Sequence, residues 1–122
     1  MIISSQDIAQ YRSQLSDIPE ALLALDVIED CEGDVEDAAI SLALKIGQEP
    51  TTTENWLEDL AKRCRVEICE PQFQSELQNG QLKSLIEYLF TTELCPKLLV
   101  IPIVIYVVKL GVNQFCQSVM NN

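Results

Sequence analysis

The sequence contains no histidine. This absence excludes nucleophilic sites that pair serine or cysteine with histidine, zinc sites built on imidazole, and the usual general base near neutral pH. Glycine occurs only four times and never in a cluster, so the chain has neither a GxGxxG dinucleotide loop nor a Walker phosphate loop. An enzyme that relies on carboxylates or thiols is therefore the least favoured class of function, and we predict no cofactor and no metal.

Basic residues are also scarce, because eight lysines and arginines face 19 aspartates and glutamates, for a net charge of -11. Residues 1–60 hold two basic and fourteen acidic residues, and residues 61–122 hold six basic and five acidic ones. Nucleic acid and anionic lipid surfaces would be repelled by the acidic half. A protein partner with a basic surface, or self-association, fits this charge better.

We expect no secretion leader, because the first ten residues, MIISSQDIAQ, lack a charged segment followed by an apolar core. The five cysteines are odd in number and widely spread. In a chain without a leader we expect them to remain reduced and to pack as small apolar groups. These observations predict a cytoplasmic protein.

Helix start and stop signals recur along the chain, whereas no segment alternates polar and apolar residues as a strand does. In the first half, Gly33 and Gly47 are placed to end helices, and the predicted N-terminal caps are Ser4 or Ser5, Asp17 (followed by Pro19) and Asp34. The pattern predicts acidic N-terminal helices over residues 1–47.

The segment QEPTTT, residues 48–53, is predicted to be a linker, and helices over residues 54–120 are expected to follow it. Thr52 or Thr53 opens the next helix, Pro71 a short one, and Cys95-Pro96 the last. Residues 1–122 are thus predicted to form a single domain, an all-α compact bundle of six or seven helices.

The most hydrophobic stretch is LLVIPIVIYVVKLGV, residues 98–112. Eleven uncharged residues lie between Lys97 and Lys109, fewer than the roughly 20 needed to span a bilayer. Pro102 disfavours a central strand, because proline cannot donate to a β-ladder. We predict a hydrophobic central helix whose first turns are enclosed, with a polar stripe at Lys109, Asn113 and Gln117.

One acidic run lies between the second and third predicted helices. Asp30-x-Glu32-x-Asp34 imitates the opening of a calcium loop, but Val35 replaces the required glycine and Ser41 the required glutamate. A solvated turn is the simpler interpretation. If the protein binds a partner through charge, the predicted surface is this run: Glu29, Asp30, Glu32, Asp34, Glu36 and Asp37.

Two cysteine arrangements have chemical alternatives to packing. Cys64 and Cys69 are spaced as C-x4-C, but a structural zinc site needs four ligands. Cys95 precedes Pro96 at a predicted helix start, where a thiol pKa is lowered. Packed thiols remain the simpler interpretation for both.

Residues 5–46 resemble a ubiquitin-associated (UBA-like) domain, in the segments SQDIAQYRSQL, PEALLALDVIEDC and GDVEDAAISLAL. The resemblance covers about a third of the chain and implies three short helices used for protein–protein contact. The family's Met-Gly-aromatic binding loop is replaced here by Leu15-Ser16-Asp17-Ile18, so ubiquitin binding is not implied. The chain as a whole also resembles uncharacterised bacterial families.

The resulting hypothesis is a non-enzymatic helical interaction or adaptor module, with a signalling or regulatory role as one possibility. A membrane-associated regulator that uses residues 98–112 is the first alternative, and a carboxylate- or thiol-based enzyme is the second.

Overall fold

The computed structural model describes residues 1–49 and 55–120. The all-α class is confirmed within these residues, where the only β-pairing is an isolated bridge between Ile2 and Asp34. Nine helices form there rather than the six or seven predicted: α1 (Ser5–Gln14), α2 (Pro19–Asp30), α3 (Val35–Lys45), α4 (Trp56–Arg63), α5 (Arg65–Ile68), α6 (Pro71–Gln78), α7 (Lys83–Thr92), α8 (Lys97–Leu110) and α9 (Val112–Met120). Residues 50–53 of the predicted linker, including the proposed caps Thr52 and Thr53, lie outside the described residues.

Two of the predicted caps are present. The Ser4 hydroxyl accepts a hydrogen bond from the Asp7 N–H at 3.0 Å, and the Asp7 carboxylate accepts one from the Ser4 N–H, which completes a capping box. Asp34 caps α3 by accepting from the Asp37 N–H at 3.1 Å. The prediction for Asp17 is wrong, because α2 begins one residue later with Ile18 as its cap. Asp17 instead forms an ion pair with Lys83 of α7, at 2.6 Å.

The two unpredicted helices arise from local interruptions. Cys64 ends α4 and at once begins the four-residue helix α5. Gly111 adopts a φ of +112° and separates α8 from α9. The predicted polar stripe at Lys109, Asn113 and Gln117 therefore does not lie on one helix, and Lys109 is paired with Asp7 of α1 at 2.8 Å.

Helix α8 contains the hydrophobic stretch, and all its residues from 99 to 105 are buried. It packs against α2, α3, α4, α7 and α9. Pro102 is the sixth residue of α8, so the helix lacks one internal N–H donor there. None of the helices formed by the described residues is both long and apolar enough to cross a membrane.

A disulfide joins Cys69, which follows α5, to Cys116 in α9, with 5.6 Å between the Cα atoms. The expectation that all five cysteines are reduced is therefore wrong for this pair, while Cys31, Cys64 and Cys95 are free thiols. The bond forms because α5 and α9 are in contact although 47 residues separate the two cysteines. It also removes Cys69 from the C-x4-C spacing considered as a metal site.

Candidate partner-binding surface at the α2–α3 turn

The turn between α2 and α3 carries the acidic run. Glu32 and Gly33 both adopt positive φ angles, of 57° and 86°, and the Gly33 N–H donates to the Ile28 carbonyl at 2.8 Å. This left-handed conformation reverses the chain and costs a non-glycine residue about 1–2 kcal/mol. Glu32 is thus held with its carboxylate exposed on the surface of the turn.

The first three residues of the chain lie along this turn. The Ile3 N–H donates to the Gly33 carbonyl at 2.9 Å, and the Val35 N–H donates to the Met1 carbonyl at 3.0 Å. A Cβ at position 33 would overlap the Ile3 carbonyl oxygen. Glycine is therefore required there for two reasons, the positive φ and the close approach of the N-terminal segment.

Replacing Gly33 with alanine should destabilise the protein about 2 kcal/mol more than replacing Gly80, because both backbone hydrogen bonds to the N-terminal segment must be displaced. Gly80 is the matched control: its φ is +78°, but no atom lies within 4 Å of a Cβ built there. Urea unfolding of both variants measures the difference. Equal losses of stability would show that the N-terminal segment does not pack on the turn.

Three members of the acidic run are engaged locally. Glu29 lies 3.4 Å from Arg12, and Glu36 accepts a hydrogen bond from the Met1 amino group at 2.7 Å. That hydrogen bond raises the pKa of the amino group. Asp34 is the cap of α3, so the structure assigns these three carboxylates to holding α1, the N-terminus and α3 in place.

The other three, Asp30, Glu32 and Asp37, are exposed and form no ion pair with any other described residue. Asp37 lies in the first turn of α3, where the helix dipole favours a carboxylate. Asp30 is the last residue of α2, where the dipole disfavours one. The simple interpretation from helix stability therefore accounts for Asp37 but not for Asp30.

Two exposed apolar side chains continue this acidic surface along α3. Ile40 is 36% exposed and Leu44 is 63% exposed, and with Asp37 they follow the i, i+3, i+7 spacing of one helix face. The apolar spacing along residues 35–46 predicts one buried face, to which neither Ile40 nor Leu44 belongs: Val35, Ala38, Ala39, Leu42, Ala43 and Ile46. The prediction is wrong for Ile46, which is 37% exposed, while the other five residues are fully buried.

The candidate site is therefore a mixed surface, which we call the α3 surface: Asp30, Glu32, Asp37, Ile40 and Leu44. Comparisons of the chain with protein-family models, curated proteins and solved structures found no match.

Proposed function

We propose that the protein is a non-enzymatic helical interaction module that binds a protein partner through the α3 surface. The observation that carries the proposal is the adjacency of unpaired carboxylates to exposed Ile40 and Leu44 on α3. A basic and partly apolar partner segment, such as an amphipathic helix, would neutralise the first and cover the second.

The charge distribution supports a basic partner. Carboxylates that are already paired gain little from a second cation, whereas Asp30, Glu32 and Asp37 are available to one. Their attraction to a partner would be screened by salt, because the Debye length falls from about 30 Å at 0.01 M to about 10 Å at 0.1 M. Binding should therefore weaken as ionic strength rises.

The burial of α8 also supports binding through the α3 surface. Residues 99–105 of α8 are buried, and α8 packs against five other helices. This burial favours the α3 surface over the alternative in which residues 98–112 contact a bilayer. We propose that the helices form a single bundle around α8, and that this bundle holds α2 and α3 rigidly.

The layout of the first three helices supports the same proposal. Helices α1, α2 and α3 lie within residues 5–46, the range that resembles a UBA-like domain. In this proposal the chain shares with that family the use of three short helices for protein contact, without the family's Met-Gly-aromatic loop.

We also propose a cytoplasmic location. The Cys69–Cys116 disulfide argues against it, because structural disulfides are rare in reducing compartments, so the state of this pair in the cell tests the proposal. Alkylation of thiols immediately on cell lysis, followed by mass spectrometry, would show whether these two cysteines are bonded in the cell.

The function is tested by capturing partners from an extract of the source cells with the wild-type chain and two charge-reversed variants. The first variant carries Asp30→Lys, Glu32→Lys and Asp37→Lys. The second reverses three exposed carboxylates elsewhere, Asp59, Glu70 and Glu87. Each variant changes the net charge from -11 to -5, and each reverses one carboxylate in the first turn of a helix.

We expect the wild-type chain and the second variant to capture the same proteins, and the first variant to lose them. The captured proteins should be released as salt is raised from 50 to about 300 mM. Capture of the same set by the first variant would contradict the proposal. Sedimentation of the chain alone at several concentrations tests the self-association alternative.

A further inference from the structure

Two free thiols, Cys64 and Cys95, lie close together in the structure. Cys64 is the residue that follows α4, and Cys95 lies two residues before α8. Their sulfur atoms are 4.0 Å apart, and their residues are 0% and 8% exposed. They approach each other because α4 packs against α8.

A cavity of about 470 Å³ gives a small molecule access to this pair. Cys95 lines the cavity, together with Arg63, Phe90 and Lys97. Glu93 also lines it, so the lining holds two cations and one carboxylate. Of the two cysteines, Cys95 lines this cavity and Cys64 does not, so a small oxidant that enters it reaches Cys95 before Cys64.

The two thiols are not equivalent. The hydrogen bond between them lowers the pKa of Cys64 and raises the pKa of Cys95. Cys95 is therefore the thiol that holds its proton more firmly, as the donor of the shared hydrogen bond. Access to the cavity, rather than pKa, assigns the first attack to Cys95.

The same chain offers two internal references. Cys69 and Cys116 already form a disulfide, and Cys31 is a partly exposed free thiol. The described residues therefore include one disulfide, one pair of neighbouring thiols and one further thiol at Cys31. We expect each of the three to react differently with an oxidant.

We propose that Cys64 and Cys95 are a redox-active dithiol that hydroperoxides convert to a second disulfide. The Cys95 sulfur attacks one peroxide oxygen and gives up its proton. The O–O bond breaks, Cys95 becomes a sulfenic acid, and the departing oxygen leaves as water (or, for an organic peroxide, as an alcohol) after taking up a proton. The Cys64 sulfur displaces the sulfenic oxygen as a second water, so two thiols lose two electrons and two protons while one peroxide is reduced.

The test is a thiol count on the wild-type chain, purified without reductant, before and after hydrogen peroxide. Peptide mapping first establishes that Cys69 and Cys116 are bonded. Alkylation should then detect three thiols before treatment and one afterwards, at Cys31, together with a peptide pair that links Cys64 to Cys95. Dithiothreitol should then return Cys64 and Cys95 to thiols.

Two variants sharpen the result. Cys31→Ala removes the bystander, and peroxide should then leave no thiol to alkylate. Cys64→Ala removes the resolving sulfur, and dimedone should trap a sulfenic acid at Cys95. Survival of both Cys64 and Cys95 as thiols in the wild-type chain, or oxidation of Cys31 while that pair stays reduced, would overturn the proposal even if Cys64→Ala failed to fold.

Discussion

Reduction of the Cys69–Cys116 disulfide is expected to lower the free energy of unfolding by about 4 kcal/mol, since the bond closes a loop of about 47 residues and restricts the unfolded chain. The magnitude follows from loop-closure entropy, which grows slowly with loop length. The cross-link also makes the unfolded chain more compact, so its removal should raise the denaturant dependence of unfolding. Guanidinium unfolding with and without a phosphine reductant measures both changes.

The double variant Cys69→Ala/Cys116→Ala is the control. The denaturant concentration at the midpoint of its unfolding should be the same with and without reductant. The double variant should be no more stable than the reduced wild-type chain, because Cys116 is buried and its truncation removes packing. A wild-type chain whose stability is the same in both conditions would contradict the disulfide.

Replacement of Ile101 by alanine is expected to cost about 2–5 kcal/mol, the range found when a fully buried aliphatic side chain is truncated. Ile101 is 0% exposed and lies in α8, which packs against five other helices. Surrounding side chains that are held by several helices cannot all move to fill the space, so the upper part of the range is expected. Urea unfolding gives the value.

Leu44→Ala is the matched aliphatic truncation at an exposed site. Leu44 is 63% exposed, so its loss should change stability by no more than about 0.5 kcal/mol. The same variant should weaken binding to a partner, because Leu44 belongs to the α3 surface. Equal destabilisation by Ile101→Ala and Leu44→Ala would show that α8 is not enclosed as described.

The helices were predictable where local chemistry decides them. The hydroxyl of Ser4 and the carboxylate of Asp34 cap helices in the structure as the sequence indicated, since a cap depends on residues within one turn. Asp17 shows the limit of such reasoning. It has the right chemistry for a cap, but its carboxylate pairs with Lys83, which is distant in sequence.

The features that were missed depend on tertiary contacts. Glycine within an apolar pattern is compatible with a continuous helix, so Gly111 gave no sign that α8 and α9 would separate. Cysteine pairing is not encoded in spacing, and neither the Cys69–Cys116 bond nor the approach of Cys64 to Cys95 could be derived from it.

The candidate surface was predictable only in part. The acidic run is visible in the sequence, but only the structure separates Glu29, Asp34 and Glu36, which have local partners, from the three carboxylates that do not. Ile40 and Leu44 could have been found, because the helical period places both outside the buried face of α3. The separation matters because it selects the residues to mutate.

The most direct test of the proposed function is the dissociation constant of a captured partner, measured by calorimetry at 50 mM salt. The chain with Asp30, Glu32 and Asp37 reversed to lysine should bind at least about tenfold more weakly than the wild-type chain, because attraction at three sites becomes repulsion. The chain with Asp59, Glu70 and Glu87 reversed carries the same net charge and should bind within about twofold of wild type. Equal weakening by both variants, or by neither, would contradict a binding site at the α3 surface.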